Sequence, residues 1–226
     1  MIEHEIEKYF RNSKVFFINK NSIDSSDIQN LAAKIKFSEE INKFHPDRKK
    51  EYILGRICAH QLLKNNFNLE ILEFPTDEKS RAPIWPRGFV GSISHDKDYV
   101  LCALSNSLDC LGVDIENLGR VKEDFKRHIL IPQDSLDIDG ISRSDAMTII
   151  FSAKEALYKA LYPKVNKFFG FDSAYVSEID LETNTFKINL IKELSSEYGP
   201  LQLSEFTGSF FLNHERCLTV IEILRY

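Results

Sequence analysis

Residues 146–162 contain neither glycine nor proline, and Ile149, Ile150, Ala153, Leu157, Ala160 and Leu161 recur there at helical spacing. This is the clearest helix in the chain, and Pro163 is expected to close it. Thr148, Ser152, Glu155, Lys159 and Tyr162 fall on the opposite, polar face. A second helical run, residues 47–63, starts after His45-Pro46-Asp47, where proline suits the first turn and an acid the helix dipole. A shorter helix is expected within residues 28–41, after a loop-like stretch over 22–29.

Between and after the helices the pattern changes to alternation. Residues 92–95 and 99–104 read as a hairpin with Asp96-Lys97-Asp98 as the turn, preceded by an irregular proline-bearing stretch, 75–91. Residues 111–116, 185–190 and 210–224 read as further strands, and 117–145 as loops and short helices. There is a faint internal repeat. Residues 55–63 resemble 153–161, an offset of 98 (56 to 154), and Gly91-Ser92, His95 and Cys102 resemble Gly208-Ser209, His214 and Cys217. The fold class read from this is α+β in two similar halves, 1–106 and 107–226, with the seam between them as the natural ligand site.

With 226 residues, 43% of them hydrophobic, the chain can bury one sizeable core or two small ones. A net charge of −5 gives no global basic field, which argues against a nucleic-acid partner. No apolar run is long enough to span a bilayer, and the first residues are too charged for a signal peptide. Cys58, Cys102, Cys110 and Cys217 form no CxxC pair, so they are expected as buried, reduced thiols of a cytoplasmic protein.

Chemistry is concentrated in a few positions. Asp114 and Glu116, two apart on a strand, project to one face, and a hard cation such as Mg²⁺ would relieve their repulsion. Taken alone they read rather as solvated acids at a strand end. Glu155 and Lys159 read as a surface ion pair, or as a third ligand or base followed by a phosphate contact. Arg48 and Arg56 lie on one side of the second helix, and guanidinium groups suit phosphates. Lys79 and Arg81 lie in the irregular stretch, while Ser92, Ser94 and His95 lie on the hairpin. Together, acids for a metal and cations for phosphates fit metal-assisted phosphoryl transfer.

Gly55-Arg56, Arg81-Ala-Pro-Ile-Trp-Pro-Arg-Gly-Phe-Val-Gly-Ser-Ile-Ser-His95, Gly112-Val-Asp-Ile-Glu116 and Phe151-Ser-Ala-Lys-Glu-Ala-Leu-Tyr-Lys159 carry a resemblance. In this order they resemble the signature blocks of the Sfp-type 4′-phosphopantetheinyl transferases, closest to the branch of the enterobactin synthase component D proteins. The resemblance runs from about residue 48 to about 162. It implies two α/β halves with pseudo-twofold symmetry, the first binding the nucleotide of coenzyme A and the second carrying the acids.

The implied reaction moves 4′-phosphopantetheine from coenzyme A to a serine of an apo carrier protein (acyl, peptidyl or aryl) and leaves adenosine 3′,5′-bisphosphate. Siderophore, nonribosomal-peptide or other secondary-metabolite synthesis is the implied setting. The resemblance makes Asp114, Glu116 and Glu155 the Mg²⁺ acids, with Mn²⁺ as a substitute. Glu155 is then also the base, directly or through water or Glu116, and Lys159 acts on the phosphate. Arg48, Arg56, Lys79, Arg81, Ser94 and His95 hold the nucleotide end. A monomer is implied. The charged turn after His95 departs from the family pattern and touches the wall of the adenine pocket. Lys122, Lys126, Arg127, Lys164 and Lys167 are the basic candidates for docking an acidic carrier.

Rival readings are another Mg²⁺-dependent nucleotide hydrolase or phosphotransferase and a non-catalytic binding module. The first lacks a GxxxxGK[ST] loop, and the second would be expected to lack one of the three acids.

Overall fold

His45 keeps extended backbone geometry and Pro46 takes the first helical position, so the long helix of the N-terminal unit begins where its missing N–H does no harm. The structure, a computed structural model, describes residues 5–37, 39–77, 82–119 and 126–225. The chain divides into two units, Met1–Leu108 and Asp109–Tyr226.

The first unit contains β1 (Lys14–Asn19), α1 (Ser25–Ala32), α2 (Pro46–Phe67), β2 (Val90–His95) and β3 (Tyr99–Ser105). The strands form an antiparallel sheet in the order β1-β3-β2. Leu54, Ile57, Cys58 and Leu62 of α2 pack with Val100, Cys102 and Leu104 of β3 in one core. Gly55 lets the helix close on the sheet, because a Cβ there would already stand 3.0 Å from Ile93. The stretch read as a loop over 22–29 is helical from Ser25, because the Asp24 carboxylate caps the Asp27 amide. The Asp96-Lys97-Asp98 turn is built by Asp96, whose Oδ1 accepts the amides of Asp98 and Tyr99 at 2.8 and 2.7 Å.

In the second unit follow β4 (Leu108–Asn117), which begins on the last residue of the first unit, α3 (Lys126–Ile129), α4 (Arg143–Val165), β5 (Ala174–Asp180), β6 (Thr185–Leu190), β7 (Glu205–Leu212) and β8 (Arg216–Leu224). The sheet order is β4-β8-β7-β6-β5. The alternating run expected over 210–224 is two antiparallel strands that turn at Asn213, whose side chain accepts the amides of Glu215 and Arg216. Strand β5, whose pattern is broken by a register shift between Val176 and Glu178, has no counterpart in the sequence reading.

Pro163 does not close α4. The helix continues to Val165 and stops at Asn166 in the left-handed conformation, with the Asn166 amide on the Tyr162 carbonyl at 2.8 Å. A proline in the last turn removes only one hydrogen bond, which the other contacts of α4 offset. The polar face of α4 is not a solvent face either. Thr148 and Ser152 are fully buried.

The segments of the faint repeat lie on α2 and α4 and on the β2–β3 and β7–β8 hairpins. Helix α2 also ends on a left-handed asparagine, Asn68, and the offset from 68 to 166 is again 98. Gly91 and Gly208 each pair with the residue thirteen positions on, Leu104 and Ile221. Each glycine also makes room for an aromatic ring, Trp85 from the stretch before β2 and Phe186 from β6. Among the described residues, no helix is long and apolar enough to cross a membrane. All four cysteines are free and buried.

Candidate active site

The placement of the candidate acids depends on how tightly α4 lies on β4. A Cβ at Gly112 would stand 1.9 Å from the Ala156 carbonyl oxygen, so only glycine permits this approach. Strand alternation then turns Asp114 and Glu116 to the same side as Gly112. Both are nearly inaccessible, at 3% and 5% exposure. The Ser152 hydroxyl reaches the Asp114 carbonyl at 3.3 Å and Thr219 Oγ1 of β8 at 2.8 Å. Lys159 Nζ donates to Asp114 Oδ1 at 2.7 Å and to the Val113 carbonyl at 3.1 Å. Lys159 thus takes part in a strand-to-helix ion pair. Glu155 lies one turn from each of Ser152 and Lys159.

Burial first, and then the charges of Asp114, Glu116 and Asp145, push the Cys217 thiol well above its ordinary pKa. Oxygen donors of this kind suit Mg²⁺. Among the described residues, however, no group of three or more His, Cys, Asp or Glu side chains is gathered as a metal site. The Asp114 oxygen that faces α4 is taken by the lysine ammonium.

Glu155 also borders a cleft of about 200 Å³, lined by Leu157, Tyr158, Phe168, Phe169 and Phe171. Tyr158 stacks on Phe168 and Phe169 at centroid distances of 5.8 and 5.0 Å. Its hydroxyl pKa is raised by burial, with Tyr162 and Glu155 adding to the shift. Phe168 is 75% exposed, so the cleft opens on an apolar lip.

Sequence reasoning gave no role to Lys154, next to Glu155. Lys154 Nζ meets Asp134 Oδ2 at 2.7 Å and the Ile129 carbonyl at 2.9 Å. Asp134 in turn accepts the Ile131 and Val176 amides, both at 2.8 Å. This buried pair ties α4 to β5 and to the loop after α3. No periodicity reveals it, because the partners are twenty residues apart.

The first unit collects the basic candidates unevenly. Arg48 is exposed near the start of α2, and its Nη1 lies 3.0 Å from His95 Nε2. Arg56 is buried, lies 4.3 Å over the Tyr52 ring and donates to Thr76 Oγ1 at 3.4 Å. Burial lowers its pKa, opposed chiefly by Tyr52 and Cys102. Ser94 and His95 are neighbours on β2 and so face opposite ways. His95 and Ile93 face α2, whereas Ser92 and Ser94 are buried on the other side. Glu51, a residue the sequence reading missed, joins this group through His95 and Lys20. Its only sequence signal was the i,i+3 spacing from Arg48. Lys79, Arg81 and Lys122 lie outside the described residues. Of the other docking candidates, Lys164 is paired with Asp109 at 2.5 Å, and Arg127 contacts His128.

Comparison with known proteins places these elements in a family. A model of the 4′-phosphopantetheinyl transferase N-terminal domain matches residues 37–105, and one of the 4′-phosphopantetheinyl transferase superfamily matches 110–212. The chain belongs to the 4′-phosphopantetheinyl transferase superfamily. It is 27% identical over 189 residues to 4′-phosphopantetheinyl transferase Npt of Nocardia iowensis, covering 77% of this chain and 82% of the relative. To 4′-phosphopantetheinyl transferase PptT of Mycobacterium tuberculosis it is 27% identical over 182 residues, covering 77% and 78%. To enterobactin synthase component D of Salmonella typhi it is 34% identical over 137 residues, covering 59% and 56%.

Proposed function

We propose that this chain transfers 4′-phosphopantetheine from coenzyme A to a serine of an apo carrier protein in siderophore or other secondary-metabolite synthesis. The observation that carries the reading is the pair of buried acids Asp114 and Glu116, with Asp114 bonded to the half-buried Lys159 one turn from Glu155, on a family-matched strand and helix. Asp114, Glu116 and Glu155 are the residues that would hold Mg²⁺. When bound, the ion supplies neutralisation of charge on the pyrophosphate.

Glu155 accepts the proton of the carrier serine. The serine oxygen forms a bond to the phosphorus that bears pantetheine. The bond to the leaving adenosine 3′,5′-bisphosphate breaks, and Lys159 donates to the leaving phosphate oxygen. The apolar cleft beside Glu155 suits the pantetheine arm, which is uncharged beyond its phosphate. Arg48, Arg56 and His95, with Lys79, Arg81 and Ser94, serve the nucleotide end. The division of labour is then a nucleotide-binding first unit and a catalytic second one, in a cytoplasmic monomer. The exposed Arg127 and Lys167, with the half-buried Lys126, serve an acidic carrier.

The test is intact-mass spectrometry of a panel of apo carriers incubated with the protein, coenzyme A and Mg²⁺, with and without EDTA. A gain of one phosphopantetheine, lost with EDTA and lost in a folded Glu155→Gln variant, is expected. No gain on any carrier despite coenzyme A binding would favour a binding module. Full activity of Glu155→Gln would remove Glu155 as the base.

A further inference from the structure

The contact between Arg48 and His95 fixes a protonation state. A guanidinium only donates, so at 3.0 Å His95 Nε2 is the acceptor. The proton of the neutral ring is then on Nδ1, which lies 3.3 Å from Glu51 Oε1. The same oxygen takes Lys20 Nζ at 3.1 Å, and Glu51 Oε2 lies 3.9 Å from Arg48 Nη1. The Glu51 side chain is 18% exposed, whereas those of His95 and Arg48 are 31% and 58% exposed. A carboxylate therefore sits behind the outward-facing pair and holds all three basic groups.

We propose that Glu51 is the positioning residue of a phosphate site formed by Arg48 and His95, and that loading this site draws a proton onto His95 Nε2. The inference rests on the reading of Arg48 and His95 as phosphate contacts. A phosphate oxygen between them needs a donor from each side. Arg48 has donors in any state, but Nε2 has one only in the imidazolium. Glu51 keeps Nδ1–H oriented and stabilises the added charge, as a carboxylate partner does for a catalytic imidazole.

Among the described residues, the neighbouring charges favour Glu51 for this role. On α2 they are Arg48 and Glu51 themselves, and after β1 there is Lys20, already held by Glu51. Beyond β2, Asp96 spends its Oδ1 on the turn amides, and Asp98 meets Lys97 at 3.9 Å and the Asn21 amide group at 3.1 Å. Because the protonated ring is the binding form, affinity should be highest at the acid end of the range in which the ligand phosphate is ionised. It falls by up to about tenfold per pH unit above the ordinary histidine pKa of about 6.5, until the pKa of the loaded site is passed.

Calorimetric titration of the full chain with coenzyme A and with adenosine 3′,5′-bisphosphate tests this, in buffers of different ionisation enthalpy. At pH 8 the phosphate esters, with pKa about 6, are already ionised and contribute no protons. Wild type should take up roughly a quarter to three-quarters of a proton per ligand, because the loaded site favours the imidazolium. His95→Asn and Glu51→Gln should take up almost none, and Glu51→Asp should keep part of the uptake. Glu51→Gln should also bind up to about fourfold more weakly at pH 8. Repulsion between a carboxylate and a phosphate predicts the reverse.

Normal binding with no proton uptake in wild type would overturn the proposal alone. So would a Glu51→Gln variant that matches wild type in uptake or binds more tightly. Unchanged affinity in both Arg48→Ala and His95→Asn would overturn the phosphate reading itself, and the proposal with it.

Discussion

Lys159 Nζ lies 2.7 Å from Asp114 Oδ1 and 3.1 Å from the Val113 carbonyl, so the last residue of the family-matched motif on α4 is bonded to the middle of β4. A cation and a carboxylate proposed for the phosphate and the metal are thus each other's partners. Replacing Lys159 with Met separates two effects. Turnover should be lost, while Mg²⁺ should protect the folded variant against thermal unfolding more than it protects wild type, because Asp114 no longer faces an ammonium. Equal protection of the two proteins would show that Asp114 is not a metal ligand.

Gly112 is the point where β4 meets α4. A methyl group there would stand 1.9 Å from the Ala156 carbonyl oxygen and 2.8 Å from the Ala160 nitrogen, both backbone atoms that cannot step aside. Gly112→Ala should lower unfolding stability in urea by about 3 kcal/mol or more, together with transfer activity. Gly88→Ala is the control for tolerance of space, since nothing lies within 4 Å of its Cβ position, although its φ of +89° still strains any side chain.

The buried pair of Lys154 and Asp134 should behave as one unit. Lys154→Met alone leaves a buried carboxylate without its cation and should reduce stability by about 3–5 kcal/mol. Lys154→Met with Asp134→Leu should recover much of that loss in a double-mutant cycle. Burial lowers the Lys154 pKa below its ordinary value, with Asp134 opposing the shift. Between that lowered value and 10.5 the unfolded chain binds the proton and the folded chain does not, so this lysine adds stability as pH rises. Denaturation curves across that alkaline range should show the increment in wild type and lack it in the double variant.

The thiols should be silent. Burial pushes Cys110 up to about 11, and raises Cys58, Cys102 and Cys217 as well. Titration with a disulfide reagent at pH 8 should find no reactive thiol in the native protein and all four after unfolding.

The sequence revealed the two long helices and the first hairpin because their signals are local: a proline at the first turn, an unbroken apolar period, and an aspartate-rich turn. It also brought Asp114, Glu116, Glu155 and Lys159 together, through strand alternation, helical period and a motif. What it concealed was relational. Thr148 and Ser152 look like a wet face until β4 and β8 cover them. Glu51 looks like one more surface acid on a helix, and Lys154 like one more lysine, because their partners come from distant strands and loops. Pro163 reads as a stop signal, although a helix held by so many neighbours runs past it to Asn166.

The matching left-handed asparagines at 68 and 166 end two helices that now carry opposite chemistry. Arg48 and Arg56 lie on the first, and Glu155 on the second, beside the acids of β4. If both descend from one ancestral helix-and-hairpin, duplication released each copy from serving both charges. Under the proposed function, drift in the cationic copy would change the grip on one end of a ligand without disturbing the acids, so donor preference and catalytic power would become separately heritable traits.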